Sequence, residues 1–118
     1  MMNDHARRRE LRATYKQNPP EAGVYRIVNR VNGKSLVGSA ANLVSVRSKM
    51  AFARSTDMPG ALDHRLRDDI RQFGLDAFSL EILEVLEVEP AMTAAEIRQD
   101  LATLEALWRE KYDPALLY

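Results

Sequence analysis

Two side chains of this 118-residue chain stand in settings that invite chemistry, the phenol of Tyr25 and the carboxylate of Glu105. Tyr25 lies in an apolar, β-type run, where its hydroxyl could give or take a proton if held against a polar site. Packing alone also favours aromatics on strands, so scaffold is the plainer reading. Glu105 falls about 40° around a helix from Leu101 and about 60° from Trp108, at the edge of an apolar stripe. A carboxylate half drawn into a core must be paired, hydrogen-bonded or bound to a cation. Its alternative is a boundary glutamate with a surface arginine partner. A third feature is the basic cluster "RRRELR" from Arg7 to Arg12, which could lie along phosphates or simply be solvated. His5 and His64 lack metal-ligand spacing. Phosphate-loop, dinucleotide and Gly-x-Ser-x-Gly fingerprints are missing, which leaves nucleotide and hydrolase-triad chemistry without support.

The elements that must position these groups follow from pattern. A helix over about Asp4 to Gln17 ends at Pro19-Pro20. Strands over Val24 to Arg30 and Lys34 to Gly38 flank Asn32-Gly33, a pair suited to a two-residue type I′ turn. That turn pairs Val31 with Lys34, Asn29 with Leu36 and Ile27 with Gly38. It places Tyr25, Ile27, Asn29, Leu36 and Gly38 on one face. A helix over Asn42 to Arg54 carries Leu43, Val46, Met50 and Ala53 at helical spacing, and a second runs from about Ala61 to Phe73 and stops at Gly74. Phe78 to Val85 alternates as a third strand. Thr93 to Glu96 is a capping box opening a last helix that reaches about Tyr112. The order αββααβα predicts an α+β fold, a small and mostly antiparallel three-stranded sheet flanked by helices.

Composition narrows the function. With 46% hydrophobic residues and no cysteine, the chain reads as one globular domain without disulfides or thiolate metal sites. No apolar run spans a bilayer, and the basic N-terminus has no hydrophobic stretch after it, so no membrane partner and a cytoplasmic location are expected. The zero net charge conceals polarity: residues 1–54 hold 11 Lys/Arg against 3 Asp/Glu, and residues 55–118 hold 6 against 14. A phosphate backbone could bind the first half, unless the two halves intermix and their charges pair.

Gly23-Val24-Tyr25 and Leu36-Val37-Gly38, followed by "GSAANL", "IRQFGLDAFSLEILE" and "LEALWREKYDP", resemble the ordered segments of the GIY-YIG nuclease superfamily. The likeness runs from about Ala22 to Pro114. It divides the chain into an N-terminal helix and connection (1–20) and a GIY-YIG-like domain (21–118). It implies metal-dependent hydrolysis of DNA, with Glu105 holding Mg²⁺ or Mn²⁺, Tyr25 near the attacking water, and an arginine on the helix after the hairpin stabilising the phosphate. Gly38, Lys49 and the basic Arg7, Arg8 and Arg9 are the expected substrate contacts.

The departures are equally specific. Leu36 stands where the second tyrosine belongs, Val46 where the arginine belongs and Met50 where a histidine is common, with Arg47 one residue and about 100° away from the arginine's place. The resemblance thus implies a DNA endonuclease domain with impaired or lost catalysis. The alternatives are an active nuclease using Arg47 or Lys49, and a non-catalytic module binding DNA or a protein. A partner or a second copy would dock through the N-terminal helix.

Overall fold

The computed structural model describes residues 21–56 and 62–118. The N-terminal helix expected over Asp4 to Gln17, with Arg7, Arg8 and Arg9, lies outside the described residues, as does the residue at which the helix expected from Ala61 would begin. Strands β1 (Ala22–Asn29) and β2 (Ser35–Ala40) form the hairpin; helix α1 (Leu43–Thr56), helix α2 (Arg67–Phe73), strand β3 (Phe78–Leu86) and helix α3 (Ala94–Arg109) follow. The sheet has the order β2-β1-β3, and β1 is antiparallel to both neighbours. The expected α+β architecture, a three-stranded antiparallel sheet flanked by helices, is therefore present.

Alternation along the hairpin sends Ile27 and Leu36 to one face. There they form the core with Met50 of α1, Ile70 of α2, Leu66 and Phe78. The opposite face, carrying Val24, Ser39 and Glu84 in register, is covered by α3, whose Trp108 Nε1 donates to Glu84 Oε1 at 2.8 Å. Thr93 caps α3 as its sequence predicts, accepting from the Glu96 N–H at 3.1 Å.

Two sequence expectations are corrected. The hairpin register differs by two residues: Tyr25 pairs with Gly38 and Ile27 with Leu36. A type I′ turn would close a two-residue loop between Val31 and Lys34, with Gly33 in the positive-φ conformation that it does adopt, at 76°. The Asn29 carboxamide instead accepts from the Val31 N–H at 3.0 Å, and the Gly33 N–H closes back on the Asn29 carbonyl at 2.8 Å, giving a longer loop. A shift of two leaves every side chain on its expected face, so the site survives the error. The second correction concerns the helix ending at Phe73. Asp63 accepts from the Arg65 N–H and starts a short 3₁₀ turn, His64–Leu66, ahead of the α-helical Arg67–Phe73. A local side-chain acceptor here competes with regular helical pairing.

Candidate functional site

The two glycines of the paired tripeptides solve different packing problems. A Cβ on Gly23 would run into the Glu84 carbonyl and stand 3.1 Å from Val85 Cα, so the close approach of β1 to β3 requires glycine. This approach lies beside a β-bulge at which Val24 pairs with Glu84 and Tyr25 with Ile82, leaving Leu83 as the extra residue of β3. A Cβ on Gly38 would lie 2.7 Å from the Tyr25 hydroxyl and 2.8 Å from its Cζ. Gly38 is thus the seat across which the phenol lies, and its role is to position Tyr25.

The next residue of β2 holds the carboxylate. Ser39 Oγ donates to Glu105 Oε1 at 3.1 Å, and Arg109 Nη2 stands 3.9 Å from Glu105 Oε2 while donating to the Val37 carbonyl at 3.1 Å. At 3.9 Å the arginine makes no hydrogen bond to Glu105, so Oε2 keeps its lone pairs. Tyr25 and Glu105, 80 positions apart in sequence, thus meet at neighbouring residues of one edge strand, the phenol across Gly38 and the carboxylate at Ser39 on the α3 side, near enough for the carboxylate's charge to act on the phenol. Burial pushes the Tyr25 phenol above its ordinary pKa, and the negative charges of Glu105 and then Asp63 push it further, against a smaller opposing effect of Arg65. The phenol is therefore protonated at neutral pH and able to donate a hydrogen bond.

A cleft of about 220 Å³ opens beside Tyr25, lined by Ile27, Leu36, Val46, Lys49, Leu62 and Asp63. The three departures from the family pattern are packing residues: Leu36 is 2% exposed, Val46 9% and Met50 4%. Lys49 reaches the cleft wall from α1, whereas Arg47 is exposed and does not line it. Sequence inspection passed over Asp63, Arg65 and Arg109. Asp63 and Arg65 come from the segment before α2, and nothing in local spacing ties that segment to the hairpin. Arg109, four residues after Glu105, was recoverable as an i,i+4 partner.

Among the described residues no group of three or more His, Cys, Asp or Glu side chains could hold a metal ion. Glu105 nonetheless suits a hard divalent cation, because Mg²⁺ is commonly held by one or two carboxylates, with water and substrate phosphate completing its shell.

No protein-family model matches the chain, and no curated protein matches it. Among solved structures it is similar to the catalytic domain of the intron endonuclease I-TevI, in a variant with one glutamate changed to alanine. The TM-score is 0.56 and the identity 21%, over 77% of this chain and 82% of that one. What the two chains share at that identity is the fold, and the scaffold that gathers Tyr25, Gly38 and Glu105 is a GIY-YIG-like one.

Proposed function

We propose that residues 21–118 act as a GIY-YIG-like domain that binds DNA phosphodiesters at the Tyr25–Glu105 site and hydrolyses them feebly or not at all. The observation that carries this reading is the contrast within one site. The phenol and the carboxylate converge on Gly38 and Ser39, while Leu36, Val46 and Met50 are absorbed into or against the core.

Each residue's part follows from its setting. Glu105 would hold Mg²⁺ or Mn²⁺, which when bound supplies Lewis-acid polarisation of a phosphate oxygen. Tyr25, kept protonated, orients a water or a phosphate oxygen by donating a hydrogen bond, and is a poor base. Lys49 contributes a mobile point charge at the cleft wall. With leucine at 36 there is no second phenol, and with valine at 46 no guanidinium at that position of α1. Losing a transition-state donor lowers rate by about 10² to 10³, and losing an acid-base group by about 10² to 10⁴. Expected catalysis is correspondingly slight.

Supercoiled-plasmid nicking in Mg²⁺ or Mn²⁺ tests the reading, comparing the natural chain with Glu105→Ala and with Leu36→Tyr combined with Val46→Arg. Both restored side chains would enter the cleft that Leu36 and Val46 already line. The double variant should nick at least about 10²-fold faster than the natural chain, and Glu105→Ala should abolish nicking in either background. A natural chain that nicks as fast as the double variant would establish an active enzyme, the reading in which another basic residue such as Lys49 or Arg47 serves the phosphate. Nicking indifferent to Glu105 would refute the site.

A further inference from the structure

The cleft has a second polar wall, contributed by neither α1 nor the hairpin. Asp63 lines it, and Arg65 is forked onto Asp63: the Arg65 backbone N–H and Nε donate to Asp63 Oδ1, both at 2.9 Å, and Nη2 donates to Oδ2 at 2.8 Å. The following residue, Leu66, is fully buried in the core and anchors the turn. A guanidinium has five N–H donors, and Asp63 engages two of them, leaving three on a group whose plane is already fixed. We propose that Arg65, locked by Asp63, is the guanidinium that grips the phosphodiester at the Tyr25–Glu105 site, replacing the arginine that α1 lacks. This rests on the phosphodiester-binding reading above and names the residue that reading leaves open.

Three observations support the assignment. Val46 closes the expected arginine position with an apolar side chain, and Arg47 does not reach the cleft. Asp63, the carboxylate that Arg65 grips, lines the cleft together with Tyr25, and the negative charge of Glu105 acts on Arg65, which places the guanidinium in the neighbourhood of both site residues. The ion pair with Asp63 also spends much of the arginine's net charge but none of its remaining directional donors. Arg65 thereby supplies geometry while Lys49 supplies charge. Asp63 is a positioning residue in this scheme.

Affinity for a short DNA duplex, read by fluorescence anisotropy in Ca²⁺ at fixed low salt, tests the proposal without requiring turnover. Arg65→Ala should weaken binding about 10-fold or more, as loss of charge-assisted hydrogen bonds does. Arg65→Lys should restore only part of the loss because it lacks the fork. Asp63→Asn should fall between Arg65→Ala and the natural chain, and Arg47→Ala should change affinity less than about twofold. In the natural chain, the Arg65 side-chain NMR signals should shift on addition of dithymidine monophosphate, a readout that a purely structural role would leave unmoved. Binding that depends on Lys49 or Arg47 and is indifferent to Arg65, or unshifted Arg65 signals, overturns this proposal while the function reading stands. Failure of the natural chain to bind the duplex overturns both.

Discussion

Replacing Gly38 with alanine should separate stability from site geometry. The new Cβ would stand 2.7 Å from the Tyr25 hydroxyl, and ordinary contact begins at 3.4 Å, so the hydroxyl must withdraw by about 0.7 Å. The obstacle is the far end of a side chain beside an open cleft, so a small tilt of the ring relieves it. Such a tilt falls well short of the ~30° departure from a rotamer that costs about 0.5 to 1.5 kcal/mol. Alanine in place of glycine within a strand also recovers about 0.5 to 1 kcal/mol. These effects nearly cancel, and the urea midpoint should move by less than the equivalent of about 1 kcal/mol. The phenol, however, is displaced by most of an ångström, a misplacement that can lower a site's function about 10²-fold. The assay pairs urea denaturation with titration of the Tyr25 ring resonances. Near-native stability should accompany displaced ring shifts and a phenol pKa lying closer to that of an ordinary tyrosine, as the ring tilts toward solvent. A loss of 3 kcal/mol or more, or an unchanged Tyr25 titration, would refute the claim that Gly38 is a seat for the phenol.

Gly23→Ala should behave oppositely, because the clash is with the Glu84 carbonyl and Val85 Cα, which belong to a paired backbone; a loss of at least about 2 kcal/mol is expected by urea denaturation. Asn29→Ala should cost about 1 to 3 kcal/mol by the same measurement. It leaves the Val31 N–H without its acceptor and removes the 3.2 Å bond from Asn29 Nδ2 to the Tyr118 hydroxyl, at a fully buried position. Burial, followed by donation of its hydroxyl to Asp69, pushes the Tyr118 pKa up to about 12. The folded chain therefore holds this proton more tightly than the unfolded one, so the group's contribution is complete below about pH 10 and lost as pH rises toward 12. Urea midpoints measured upward from pH 9 should fall less steeply in Tyr118→Phe. At the acid end, hydrogen bonding from Arg65 holds the Asp63 carboxyl well below the usual carboxylate range. Its contribution is present above about pH 4 and lost below it, and Asp63→Asn should blunt the acid-side decline.

Local pattern in this chain decided which elements form and which way their side chains face. The period-2 alternation of β1 and β2 assigns Tyr25, Ile27, Leu36 and Gly38 to one face in both the expected and the observed register, because a two-residue slip conserves parity. The Thr93 cap and the helical spacing of Leu43, Val46, Met50 and Ala53 likewise act within a few residues and were legible directly. The position of Glu105 at the edge of an apolar stripe was legible for the same reason, and Ser39 proved to be its partner. The register itself escaped, since it depends on how the Asn29 side chain and carbonyl close the loop.

Only tertiary structure decided what stands around the site. Ser39 shares no visible signal with Glu105, and a common face is all that links Gly38 to Tyr25, yet the fold hands the phenol to one and the carboxylate to the other. Asp63 lines the cleft and carries Arg65 at its edge because buried Leu66 fixes their turn against the core, while Arg47 stays outside although it is a neighbour in sequence of a cleft residue. Periodicity is a property of one segment. Convergence is a property of how segments pack, and it depends on contacts between residues whose separation along the chain leaves no trace in local spacing.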